Sequence, residues 1–254
     1  MLRFLIINTL ILTTAYALIC LVLYFRQDGL LYFPQPSANN QAEATMRLAR
    51  PDADLQLSVR RRPGAAAVVY FGGNGEDVSQ SVETLAQAFP QHALYLLHYR
   101  GYGSSSGKPT EEANAGDALA LFDMVAQQHR EIVVVGRSLG SGVAVRLASQ
   151  RQAARLVLVT PYDSVLGIAQ SSYSWLPVRW LMRDKYESWR YAQKIAIPTT
   201  LIVAGKDTMI PNRSSEQLFR RFAKGVATYH VIPAAGHNSI TASPQYLALL
   251  AATH

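Results

Sequence analysis

A single cysteine, Cys20, stands among 254 residues. That excludes an intramolecular disulfide framework and a cysteine-rich metal site. Charge is also scarce. Asp, Glu, Lys and Arg make up 16% of the chain, against about 25% in ordinary soluble chains. No internal repeat, low-complexity tract or nucleic-acid-binding module is recognisable. The net charge of +7 has no basic stripe behind it. Arg60-Arg61-Arg62 is the only run, which reads as solvated surface or as attraction to anionic lipid head groups. The glycine-rich stretch Gly72-Gly73-Asn74-Gly75 lacks a following Lys-Ser/Thr, so it is not a phosphate-binding P-loop.

What is present is apolar. The hydrophobic fraction of 49% supplies a large core, and the length suits one α/β domain with an appendage. From Phe4 to Phe25 there is no charged residue. As a helix this stretch is about 33 Å long, enough to cross a bilayer core. Arg3 and Arg26 bracket it, with Tyr24, Tyr32 and Phe33 placed for one interface. A cleavable signal peptide competes, because Ala15-Tyr16-Ala17 resembles a cleavage site. The apolar run continues past it to Phe25, which favours an uncleaved anchor. Arg3 and the free amine before the span lean towards a cytoplasmic amino terminus, with the main domain across the membrane. The expected division is an anchor over 1–26, a connector over 27–54 and a main domain over 55–254.

The connector is polar, with a helix expected around Gln41 to Leu48. Leu55–Arg61 is expected as a strand. Alternation then sets in, with strands at Ala66–Phe71, Ala93–His98, Ile132–Val135, Leu156–Val159, Thr199–Ala204 and Thr228–Ile232. Helices are expected between them at Ser79–Phe89, Thr110–Gln128, Ser138–Ser149 and Ser214–Lys224, and after them at Ile240–Leu250. Such alternation predicts an α/β fold with a mostly parallel sheet covered on both faces. Functional groups should gather at the carboxyl ends of its strands. The pattern breaks from about 160 to 195, a segment holding Trp175, Trp180 and Trp189. It reads as a small cap inserted over the sheet, or as ordinary helical packing rich in aromatics.

The organising motif is Gly136-Arg137-Ser138-Leu139-Gly140, between a β-branched strand and a helix. That is the G-x-S-x-G nucleophile elbow in the context it requires. The serine occupies a strained turn, and the glycines avoid collision with the neighbouring strand and helix. The bland alternative is a glycine-rich turn whose serine caps a helix. His237 is the best-placed general base, following a strand through Pro233-Ala234-Ala235-Gly236. His98, at the end of another strand, is the alternative. Asp207, just past Thr199–Ala204, is the preferred orienting acid, and Asp163, which could instead cap a cap-domain helix, is its competitor. The chain order Ser138, Asp207, His237 is the order this elbow calls for. Backbone N–H groups of Leu139 and Asn74 are the expected oxyanion-hole donors. Gly73, Tyr99 and Tyr162 are the expected substrate contacts. No metal and no organic cofactor is implied.

These residues resemble the α/β-hydrolase fold superfamily and, within it, the small amino-terminally anchored serine hydrolases of bacteria and eukaryotes. The resemblance rests on Gly72-Gly73-Asn74, Tyr99-Arg100-Gly101-Tyr102-Gly103, the elbow, the Asp207 loop ending in Ile210-Pro211, and Gly236-His237-Asn238. The histidine usual at position 72 of this pattern is Gly72 here, which removes a side chain that would brace the oxyanion loop. The resemblance implies hydrolysis of an ester or thioester of an acyl or lipid-like substrate. The implied setting is a single-pass protein of a bacterial inner membrane, its hydrolase domain outside the cytoplasm. A serine peptidase and a catalytically silent, membrane-tethered binding protein are the alternatives.

Overall fold

The computed structural model describes residues 1–38 and 44–252. The chain opens with α1 (Leu2–Leu31), about 45 Å long at 1.5 Å per residue. Its most apolar window has a mean hydropathy of 2.2, and none of its residues is buried. A helix of this length and composition fits a membrane span and equally a signal sequence. It runs past the expected end at Arg26, because Gln27 and Asp28 find partners in the cap, described below.

Among the described residues eight strands form one sheet, in the order β1-β2-β4-β3-β5-β6-β7-β8. The hairpin of β1 (Ala44–Arg50) and β2 (Ala53–Arg60) joins its edge, antiparallel to β4 (Ala93–Leu97). β4, β3 (Ala66–Phe71), β5 (Glu131–Arg137), β6 (Arg155–Val159), β7 (Thr199–Ala204) and β8 (Ala227–Ile232) run parallel. β1 corrects the helix expected around Gln41 to Leu48. Residues 41–43 lie outside the described residues, and 44–48 are strand. Met46 and Leu48 alternate with exposed neighbours along this edge strand, so one face packs and the other meets water.

Alternate side chains of the central strands feed two cores. Ala67, Val69 and Phe71 of β3 face one side, and Val68 and Tyr70 the other. The first core packs α3 (Glu111–Ala126), α4 (Leu139–Ala148) and α8 (Asn212–Phe219). The second packs α2 (Val82–Ala88), which follows a 3₁₀ turn at Val78–Ser81, and α9 (Pro244–Ala251). α3 starts where Thr110 caps the Ala113 N–H at 3.1 Å and Glu111 and Glu112 meet the positive end of the helix. The expected last helix is split. Ile240–Ala242 is a 3₁₀ turn, and α9 begins on Pro244, which has no N–H to lose at a helix start.

Between β6 and β7 the cap carries α5 (Val165–Ser172), α6 (Val178–Leu181) and α7 (Trp189–Ala192). Tyr162 and Tyr186 are buried within it, whereas Trp175 and Trp180 are exposed. Tyr32, the residue after α1, is buried. Its hydroxyl bonds Asp184 at 2.8 Å and the Tyr186 hydroxyl at 2.9 Å. The end of α1 is therefore fixed to the cap.

His98, the residue after β4, is buried, with Nε2 2.8 Å from the Ser58 hydroxyl. Burial pushes its imidazole down to about 4, against an opposing pull from Asp77. The unfolded chain therefore binds the extra proton between about pH 6.5 and 4, and stability should fall across that window on acidification. The full loss is ~3 kcal/mol. Equilibrium unfolding from pH 7 to 4 should show this slope in the wild type and a flatter one in His98→Asn.

Candidate active site

At the turn from β5 to α4, Ser138 sits at φ 50° and ψ −119°. This is a left-handed conformation costing on the order of 1–2 kcal/mol for a non-glycine residue. The surrounding packing enforces it. A Cβ at Gly140 would lie 2.0 Å from the Phe71 carbonyl oxygen. One at Gly136 would lie 2.4 Å from the Gly140 oxygen. The Ser138 N–H is held by the Val159 carbonyl at 2.9 Å. Helix α4 thus starts within van der Waals distance of β3, and its first N–H, that of Leu139, has no acceptor inside the helix.

The structure brings Ser138, His237 and Asp207 together. His237 Nε2 lies 3.0 Å from Ser138 Oγ, and His237 Nδ1 lies 2.7 Å from Asp207 Oδ2. The other Asp207 oxygen accepts the N–H groups of Met209 (2.9 Å) and Ile210 (2.8 Å). Burial raises the Asp207 carboxyl, but the bond from His237 and the two backbone donors outweigh it, and the net displacement is downward. Asp207 is therefore a carboxylate that only accepts. His237 Nδ1 must carry the proton, which leaves the Nε2 lone pair facing the Ser138 hydroxyl.

The competing residues lie elsewhere. Asp163 accepts the Ser214 hydroxyl at 2.5 Å and ties the cap to α8. It does not cap α5; Ser164 does, bonding the Gly167 N–H at 2.9 Å. His98 is committed to Ser58. Two of the residues expected as substrate contacts have hydroxyls bonded to backbone. Tyr99 is buried and donates to the Gly72 carbonyl at 2.9 Å. Tyr162 is buried and donates to the Leu139 carbonyl at 3.0 Å. Both brace the backbone beneath the site. Gly73 lies beside the serine: a Cβ there would lie 3.6 Å from that of Ser138.

The residue that reading the sequence alone missed is Glu76. One of its oxygens accepts the Tyr70 and Ser81 hydroxyls, each at 2.7 Å. The other accepts the Gly73 N–H at 2.7 Å and Arg137 Nη1 at 3.0 Å. Arg137, beside the serine, also reaches Asn238 Oδ1, beside the histidine, at 3.4 Å. One nearly buried ion pair thus joins the loop after β3, the elbow and the His237 loop. The available signal was an arginine inside the elbow, which needs an acid close by. Gly72 fits the same arrangement, since a Cβ there would meet Val78 at 2.4 Å and the Glu76 carboxyl at 3.2 Å. The Asn74 side chain is held as well. Its Oδ1 accepts the Tyr102 hydroxyl (2.8 Å) and the Phe33 N–H (3.1 Å). Its Nδ2 donates to the Leu31 carbonyl.

A profile of the alpha/beta hydrolase fold matches residues 66–188. An uncharacterized protein of Mycobacterium tuberculosis is 32% identical over 237 residues, spanning 87% of this chain and 83% of that protein. The alpha/beta hydrolase domain-containing protein aho-3 of Caenorhabditis elegans is 28% identical over 230 residues, 87% of this chain and 68% of that protein. Among solved structures, an esterase from Pyrococcus furiosus superposes with a TM-score of 0.66 at 16% identity, covering 84% of this chain and 92% of that one.

Removing the Glu76 charge leaves the nearly buried Arg137 guanidinium without its ion-pair partner. Glu76→Gln should cost about 3–5 kcal/mol, roughly 6–20 °C in Tm. Arg137→Met should cost less, because Glu76 keeps its three neutral donors. Thermal unfolding of the two variants side by side checks the order.

Proposed function

Because this chain belongs to the alpha/beta hydrolase fold family, we propose that it is a membrane-anchored serine hydrolase. It cleaves an ester or thioester of an acyl or lipid-like substrate. The observation that supports this reading is the continuous relay from Asp207 through His237 to a strained Ser138, at 2.7 and 3.0 Å. The printed name of the Pyrococcus furiosus neighbour, an esterase, points the same way through the fold.

In this mechanism Ser138 Oγ attacks the acyl carbonyl carbon while His237 Nε2 takes the hydroxyl proton. Asp207 holds the imidazole in the required tautomer and stabilises the imidazolium that forms. Negative charge builds on the former carbonyl oxygen. The Leu139 N–H, at the positive end of α4, and the Asn74 N–H receive it. Collapse of the tetrahedral intermediate breaks the bond to the leaving group, which departs with the proton from His237. Water then gives its proton to His237 and attacks the acyl-enzyme, and Ser138 is regenerated as the acid leaves. The Gly73 N–H takes no part, because Glu76 already holds it. Helix α1 is the anchor of this reading, supported by its 30 residues and its mean hydropathy of 2.2.

A fluorophosphonate probe should label the wild type and not Ser138→Ala. A well-folded wild type that stays unlabelled would overturn the enzyme reading in favour of a binding protein. Asp207→Asn should lower kcat by about 10⁴, measured with aryl esters and acyl-thioesters of graded chain length. Indifference to every apolar acyl group would count against a lipid-like substrate. The intact mass of protein from the membrane fraction should begin at Met1; a start at Leu18 would mark α1 as a cleaved signal.

A further inference from the structure

The cap lies alongside the very helix that is proposed to cross the membrane. The Tyr16 hydroxyl donates to the Trp175 carbonyl at 2.9 Å, and the two rings stand 6.3 Å apart. Higher on α1, Gln27 donates to the Leu181 carbonyl at 3.1 Å and accepts the Arg183 N–H at 2.8 Å. Asp28 pairs with the Arg183 guanidinium. Partly covered α1 residues are Cys20, Leu23, Gln27 and Leu31, a single stripe at helical spacing. The cap therefore touches α1 at the Tyr16 hydroxyl and again along one face from Leu23 to its end.

Length then decides where the bilayer surface falls. A bilayer ending below Tyr16 would keep the cap dry, but only Leu2–Ala15 would remain inside, about 21 Å of helix. The hydrocarbon core is about 30 Å thick. The uncharged run reaches Phe25, and Tyr16 lies about 15 Å along the axis from Arg26. With that run in the core, the level of Trp175 is also within it.

The cap tip has the surface this demands. Tyr173, Trp175 and Trp180 are 54%, 59% and 84% exposed, and the exposed Arg179 adjoins Trp180. Aromatics flanked by a cation are the side chains of a membrane interface. Between cap and α1 runs an apolar groove of about 400 Å³, walled by Leu23, Leu30 and Leu31 on one side and Val165, Ala169 and Leu181 on the other.

We propose that the α5–α6 tip of the cap is seated in the bilayer beside α1, its aromatic face against lipid acyl chains and its groove filled by one. This rests on the reading of α1 as an uncleaved span, and it adds a second membrane contact next to the candidate site. The acyl chains of the leaflet are the occupant because the surface is continuous with the apolar surface of α1.

Full-length protein carrying one tryptophan, with phenylalanine at the other two positions, would be reconstituted into phosphatidylcholine vesicles brominated on the acyl chains. Emission from Trp175 and Trp180 should be lost relative to unbrominated vesicles. Emission from Trp189, which lies against Arg190 and Arg221, should be kept. Protein that floats with the vesicles while Trp175 and Trp180 remain as bright as Trp189 would overturn the seating of the cap and leave the anchor standing. Protein that fails to float would overturn the anchor reading, and the proposal with it.

Discussion

The Glu76 carboxylate is the point on which the site's geometry depends. Placing an acid and an arginine side by side, both largely out of water, costs several kcal/mol in desolvation for each ion. The structure offsets that cost with four donors on one carboxylate, from Tyr70, Ser81, Gly73 and Arg137. Each comes from a different stretch of chain. Tyr70 is in the body of β3, Gly73 in the loop beyond it, Ser81 just before α2 and Arg137 at the last position of β5. A carboxylate satisfied this way fixes four backbones at once. Two of them, at Gly73 and Arg137, flank the space in front of Ser138. A neutral acceptor would leave the elbow's arginine without a counter-charge, and a lysine in its place could not span both Glu76 and Asn238 with a planar fork.

The same interaction explains why the chain does without a side chain at position 72. A loop braced by a histidine needs room for the ring. Here Val78 and Glu76 fill that room, and the bracing passes to Glu76 and to the Tyr99 hydroxyl on the Gly72 carbonyl. Gly72 removes the side chain that would brace this loop. The bonds found around it describe a loop held by other means.

Much of this was legible in advance. β3 and β7 run over the expected residues, Ala66–Phe71 and Thr199–Ala204, because buried parallel strands are short apolar runs with sharp turn residues at their ends. The elbow was legible because glycine spacing around a serine has a steric cause. Less legible was anything decided by assembly. β1 reads as helix because Ala, Met, Leu and Arg are good helix formers; pairing with β2 overrides that preference. Tyr99 and Tyr162 follow strands whose ends converge on the site, yet their hydroxyls reach backbone carbonyls below it. Glu76 looks like any polar loop residue until β3 and β5 are side by side.

Asn74 joins the site to the end of α1. Its backbone N–H is the proposed oxyanion donor, while its side chain bonds the Leu31 carbonyl and the Phe33 N–H. Those groups are the last turn of α1 and the first residues beyond it. The loop on which the reaction would depend is thus held on one side by Glu76 and on the other by the end of α1. A domain cut free at Asp54 would lose one of these two supports together with the Tyr32 contacts to Asp184 and Tyr186. Tyr102 alone would then hold the Asn74 carboxamide. The last turn of α1 is therefore part of the wall that positions the loop.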